Sequence, residues 1–286
     1  MALNKRQKQK LFRASLYALS VVVVALVVIF ADWDRIQRNF FNTEIMVEMM
    51  PEAITIGVRN TILYTAGAFT FGFVLALMLA LMRLSSVPPY RWFAVAFIEV
   101  FRGVPALITI FVVAFGLPLA FGQGWRIPGG ILGTGSVALG LVAAAYMAET
   151  MRAGIEAVDL GQVEAARSLG MSGGQAMAFI ILPQAFRIII PPLTNELVLL
   201  LKDTSLLFVI GTTPVTKELT KFGRDFLATT ANATPLTVAA LLYLLITLPL
   251  TFMVRRLEKS AGKGRRTAGG DEGTSSPAVP AGAREV

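Results

Sequence analysis

The sequence contains no cysteine and no histidine. The first absence excludes disulfides and thiolate metal ligands. The second removes imidazole ligands and every catalytic arrangement in which a histidine activates a serine or a cysteine. Charge is scarce as well: Asp, Glu, Lys and Arg supply 15% of the 286 residues, against 55% hydrophobic. What is present is apolar sequence, gathered into blocks of roughly 17 to 25 residues, the length at which a helix crosses a bilayer. Composition therefore predicts an all-α, polytopic membrane protein.

Six spans are predicted, near 15–31, 59–82, 92–119, 131–148, 187–211 and 234–254, each with polar flanks. The first follows a basic leader, residues 1–14, with Lys5, Arg6, Lys8, Lys10 and Arg13. A secretory signal peptide is the rival reading, but "DWDRIQRNFF" offers no small-x-small cleavage site, so a retained anchor is expected. Alternating the loops from a cytoplasmic N-terminus places Arg83, Arg91, Arg152, Arg167, Arg187, the leader and all basic residues beyond 254 inside. Arg35, Arg38, Arg59, Arg126, Lys217, Lys221 and Arg224 fall outside. This imbalance predicts that both termini are cytoplasmic, and it accounts for the net charge of +8 without nucleic acid. The tail 260–286, rich in Gly, Ser, Pro and Ala, is expected to be disordered. Ala68, Gly72, Ala76 and Ala80, like Gly140, Ala144 and Ala148, recur every four residues, a spacing that lets helices pack closely in lipid.

Between the fourth and fifth spans lies "EAARSLGMSGGQAMAFIILP", residues 164 to 183. Asp159 followed by Gln162, and Ser172 followed by Gln175, each match a helix N-cap with a reciprocal partner. Gly170 suits a left-handed helix end, and Pro183 suits a helix stop. The prediction is a cytoplasmic helix–turn–helix. Its Gly170-Met171-Ser172-Gly173-Gly174 stretch matches the G-x-S-x-G of hydrolases, yet no histidine is available as base and Ser172 serves as a cap. A DNA-reading role is disfavoured because Asp159 and Glu164 balance Arg167 and Arg187, leaving no basic face. Docking onto a cytoplasmic protein remains.

The spacing Glu164-Ala165-Ala166, three residues, Gly170, nine residues, Ile180, one residue, Leu182-Pro183 resembles the signature loop of ABC importer permeases. The segments "IEVFRGVPALITIFVVAFGLP" and "LPQAFRIIIPPLTNELVLLLKDTSL" are similar to its polar amino-acid uptake branch, over about residues 57 to 254. That resemblance implies a permease core of the last five spans, with 15–31 as an addition and a docking loop over about 149–186. It also implies a cytoplasmic ATPase dimer, which uses ATP and Mg, an extracytoplasmic amino-acid-binding protein, and a second permease subunit, identical or homologous. No cofactor is expected on this chain, and no G-x-x-x-x-G-K-[ST] phosphate loop occurs in it. Glu164, Ala165, Ala166 and Gly170 would insert into the ATPase. The bland alternative is a solvated surface with an exposed Glu164–Arg167 pair.

Charges inside spans complete the reading. Asn195, Glu196, Lys202 and Asp203 lie in the fifth span, where a lipid-facing charge costs about 2.5 kcal/mol or more. They are expected to face protein or a water-filled path, together with Arg102 and Ser205. Asn195 and Lys202 share one helix face, Glu196 and Asp203 another. Mutual neutralisation between helices, including Glu99 with Arg102, is the structural alternative, and an ion-coupled carrier the functional one. Pro191 and Pro192 are expected to distort the start of this span and free carbonyls.

Overall fold

A computed structural model describes residues 4–122 and 124–268; among them every regular element is helical. Helix α1 (Lys5–Phe30) is the N-terminal anchor, and its apolar window buries nothing against the rest of the chain. A short amphipathic helix α2 (Trp33–Phe40) follows, then α3 (Thr43–Glu52), which runs through a π-helical turn at Ala53–Val58 into α4 (Arg59–Leu84). The second span thus begins well before residue 59.

The centre of the molecule is the seam between α4 and α8 (Gly130–Glu156). A Cβ placed on Gly140 would come within 2.9 Å of the Ala68 carbonyl, and one on Gly72 within 2.9 Å of the Gly140 carbonyl. Backbone here touches backbone. Ala68, Ala76, Ala144 and Ala148 are fully buried along the same line, so the small-residue rows serve packing within one chain.

The third predicted span is not one helix. Helix α5 (Pro88–Gly103) ends at Val104, whose extended backbone precedes Pro105, and α6 (Ala106–Phe111) departs at 107° to it. Proline lacks the N–H that would continue the ladder and biases the residue before it away from helix, which the apolar run alone does not reveal. From α6 the chain passes a π turn at Val112–Gly116 into α7 (Leu117–Phe121).

After α8 come α9 (Leu160–Ser168) and α10 (Gly173–Ala176), a π turn at Met177–Ile181, α11 (Leu182–Asp203) and a 3₁₀ stretch at Thr204–Ile210. The Pro183 stop is therefore corrected: the helix continues through it. The ring of Pro183 would collide with the carbonyl four residues back, at Phe179, and the wider π turn there relieves the collision, with the Leu182 N–H reaching Met177 O. Pro118 stands in the same relation to the turn at Val112–Gly116.

Pro191 and Pro192 likewise lie inside an unbroken α11. As paired prolines must, they leave without donors the carbonyls four residues back, at Arg187 and Ile188. Helix α12 (Leu219–Thr230) lies between the last two spans and packs Leu219 and Phe222 against Met49, Ala53, Val238 and Leu242. Helix α13 (Thr234–Ala268) closes the fold. Disorder was expected from residue 260, yet α13 continues as helix to Ala268; Ala, Lys and Arg, which dominate 261–268, are good helix formers. The remainder of the expected disordered tail, 269–286, lies outside the described residues.

Candidate functional site

The loop between α8 and α11 is shaped by local hydrogen bonds. Asp159 accepts the Gly161 N–H at 2.6 Å and starts α9, without the reciprocal bond expected from Gln162. Gly170, at φ +85°, ends it: its N–H reaches Arg167 O and the Met171 N–H reaches Ala166 O. Ser172 then starts α10 with both halves of the reciprocal cap, its Oγ accepting from Gln175 N at 3.3 Å and its N–H donating to Gln175 Oε1 at 2.8 Å. The serine is an N-cap in a helical context, not a nucleophile on a strand-to-helix turn.

Burial divides the signature residues. Ala166 faces inward with Ala176 and Ile181, while Ile180 and Leu182 are half-buried. Glu164, Ala165, Gly170 and Pro183 are exposed, and no ion pair joins Glu164 to Arg167 among the described residues. Sequence reasoning missed Leu160, Leu169 and Phe179, large apolar side chains 75%, 84% and 70% exposed on this same loop. Their apolar character in a polar-flanked loop was the available signal.

The in-span charges separate onto two walls. Arg102, Glu196 and Asp203 line a cavity of about 440 Å³, bounded by Tyr146 and by the break at Gly103–Ala106. The Arg102 guanidinium stands 5.6 Å from the Tyr146 ring centroid. Lys202 and Ser205 line a different cavity, of about 370 Å³, with Thr220 and Tyr243. Asn195 is exposed and lines neither. The expected shared face of Glu196 and Asp203 matches this division, whereas the cavity of Lys202 does not reach Asn195. The alternative pairing of Glu99 with Arg102 forms no ion pair among the described residues.

Two further polar clusters were not anticipated. At the end of α8, Glu149 bridges Arg83 of α4, at 2.7 Å, and Arg152, which also pairs with Glu156. The i, i+3, i+7 spacing of Glu149, Arg152 and Glu156 was its signal. At the opposite end of the spans, Glu218 is fully buried and accepts the N–H groups of Thr220 and Lys221 and the hydroxyl of Tyr243. Burial pushes its carboxyl up to about 7 against the hydrogen bonds that pull it down. Asn60 donates to Val215 O and Lys217 O, and Tyr64 to Thr216 O. No sequence pattern announces these long-range partners.

A continuous helix thus links an exposed, capped loop to a charged cavity within the spans, an arrangement for transmitting movement. Comparison with known proteins gives it a family. The family described as "Binding-protein-dependent transport system inner membrane component" matches residues 72–263. The chain is 39% identical over 215 residues to the probable glutamine ABC transporter permease protein GlnM of Bacillus subtilis, covering 72% of this chain and 92% of that one. It is 36% identical over 207 residues to the arginine transport system permease protein ArtQ of the same organism, covering 71% and 90%. Among solved structures, one described as an amino acid ABC transporter with histidines superposes with a TM-score of 0.67 at 36% identity, covering 75% of this chain and 96% of that one. An inward-facing MetNI methionine transporter shares the fold at 21% identity, with a TM-score of 0.61 and coverage of 75% and 98%. The ion-coupled carrier reading is set aside by these relationships. The chain belongs to the binding-protein-dependent transport system inner membrane components, as a multi-pass permease subunit of an amino-acid ABC importer.

Proposed function

We propose that this permease carries its amino acid along the wall of α11 that bears Glu196 and Asp203, with Arg102 facing them, and that the loop 149–186 couples this path to a cytoplasmic ATPase. In this reading the permease domain is 57–254, both termini are cytoplasmic, and ATP with Mg is hydrolysed by an ATPase dimer rather than by this chain. Glu164, Ala165, Ala166 and Gly170 form the inserted helix end, while Ile180, Leu182 and Pro183 set the angle of the helix that follows. Asn195, Lys202 and Ser205 belong to the part of the path completed by a second permease subunit, identical or homologous. An extracytoplasmic binding protein delivers the amino acid.

The observation that supports the reading most is continuity. Helix runs from Gly173 at the loop to Ile210 beyond the cavity, and α8 carries cavity residues Leu139 to Tyr146 before ending just ahead of α9. Displacement of the loop is delivered directly to both cavity walls, which is what alternation between two packings requires. The absence of native cysteine makes the test direct. Single cysteines placed at Leu160, Leu169 and Phe179 should crosslink to the ATPase, and Glu164→Lys should lower co-purification about tenfold or more, by loss of a charged hydrogen bond. Unchanged uptake and unchanged ATPase recovery in Glu164→Lys, with no crosslink at any of the three positions, would sink the docking role.

A further inference from the structure

The seam between α4 and α8 changes character at the end where α8 leads into α9. Along most of its length small residues hold the two helices at close contact, down to Ala80 on α4 and Ala148 on α8. Past these, Arg83 in the last turn of α4 meets Glu149 at 2.7 Å, the one ion pair across the seam among the described residues. Arg152 also pairs with Glu149, and Glu156 with Arg152, but both of these bonds stay within α8. One bond joins two helices; the others join turns of one. The side chains of Arg83 and Glu149 are only 20% and 23% exposed, so solvent screens their pair less than it screens a surface pair.

Position gives that distinction its meaning. Tyr146, on the cavity wall, lies three residues before Glu149 on the same face of α8, and Asp159, which starts α9, lies three residues after Glu156. Between them Gly154 admits Ile189 of α11 so closely that a Cβ would stand 2.2 Å from its Cγ1. The last two turns of α8 are therefore seated on α11 by packing and tied to α4 by charge. A force on the loop that carries α9 and α10 reaches these turns first. We propose that Arg83 and Glu149 are positioning residues for transport: their pair makes α4 move with α8, so that displacement of the loop reshapes the cavity instead of bending the end of α8 alone. The proposal rests on the reading of that loop as the ATPase contact and adds the residues that pass its movement on.

The test reconstitutes the complete transporter, with its ATPase, second permease subunit and binding protein, in liposomes. Uptake from a labelled mixture of the twenty common amino acids is divided by the ATP hydrolysed. Arg83→Gln should lower this ratio about fivefold or more with the ATPase still bound, because Glu149 keeps Arg152 but loses its hold on α4. Arg83→Lys should restore much of it. Arg152→Gln should keep the wild-type ratio, since the bond across the seam survives. Glu149→Asp, which keeps the charges and shortens the reach to Arg83, should lower the ratio in the same direction and serves if Arg83→Gln fails to assemble. A pair that only stabilises the fold would lower uptake and hydrolysis together and leave the ratio unchanged, while a general need for charge here would make Arg152→Gln as damaging as Arg83→Gln. Either result would overturn the proposal. Glu164→Lys, measured beside them, keeps the two readings apart: wild-type ATPase recovery in that variant counts against the docking role, whereas lost recovery there with an unchanged ratio in Arg83→Gln overturns the positioning role alone.

Discussion

The two excursions between spans, the loop carrying α9 and α10 and the loop carrying α12, are held by opposite means. In the first, Asp159, Gly170 and Ser172 form caps with partners two to five residues away, and the apolar side chains of Leu160, Leu169 and Phe179 point outward. In the second, the anchors cross from distant helices: Asn60, Thr61 and Tyr64 of α4 hold residues 215–219, and Tyr243 of α13 meets Glu218. A locally folded loop keeps its shape while its surface remains free for a partner. A loop wired to the core keeps its place. The difference suits a docking element on one side and a fixed part of the helix bundle on the other.

The largest effect should come from cutting the long-range wiring. Glu218→Leu leaves the N–H groups of Thr220 and Lys221 and the Tyr243 hydroxyl without their acceptor, and each buried donor left unmet costs about 1 to 3 kcal/mol. The purified complex should melt several degrees lower, and residues 211–230 should become cleavable by protease. Wild-type melting and protection would mean that Glu218 is not the hub of that loop.

Gly170→Val should act next most strongly, and in a different place. A β-branched residue at φ +85° carries the left-handed penalty of about 1 to 2 kcal/mol, and nothing lies within 4 Å to be crowded, so the strain is purely conformational. The loop can escape it by turning α10, which moves the proposed docking surface without unfolding the spans. Membrane abundance should stay near wild type while uptake falls severalfold or more. Loss of the protein from the membrane would show instead that this loop is needed for folding.

A smaller effect follows from pH. The folded pKa of Glu218, near 7, lies above the roughly 4.3 of an unfolded glutamate. The folded protein therefore holds this proton more tightly, and the contribution to stability is fully present below about pH 4.3 and is lost as pH rises to about 7. Melting of the wild-type complex should fall by a few degrees between pH 5.5 and 8, and the slope should flatten in Glu218→Gln, whatever its absolute stability. An identical slope in both proteins would assign the pH dependence to other groups.

The same contrast explains what was legible in the sequence. Gly170 and Ser172 were assigned correctly because a cap is encoded within a few residues of itself. The all-helical class and five of the six spans followed from hydropathy, which is also local. The break at Val104–Pro105 was missed because the apolar run continues across it, although Pro105 itself was visible. Pro183 led to the opposite error, since a proline marks a lost hydrogen bond but not whether a π turn absorbs it. The hub at Glu218 was beyond reach: its bond from Tyr243, and those of Asn60 to the carbonyls of Val215 and Lys217 just before it, exist only once α4 and α13 are brought to the same loop. Among the in-span charges, the seven-residue spacing gave the faces, but only the fold separated Arg102, Glu196 and Asp203 from Lys202 and Ser205.

The smallest effect should come from Ser172→Ala. The substitution removes the side-chain acceptor of Gln175 N and leaves the Ser172 N–H to Gln175 Oε1 bond in place, so half of the reciprocal cap survives. Loss of a serine cap costs about 1 kcal/mol of helix stability. Here the helix it starts runs on through the π turn Met177–Ile181 into α11, and Ile181 of the turn with Ala185 and Ile189 of α11 is buried in the core. Fraying of the first turn of α10 is therefore not transmitted far. Uptake should remain within about twofold of wild type, and hydrogen exchange should rise only at the amides of residues 173–176. Exchange extending past Ile181 would show that the loop depends on its local cap more than its core-facing residues allow. Complete loss of uptake with ATPase still bound would give Ser172 a role that neither its cap geometry nor its helical setting provides.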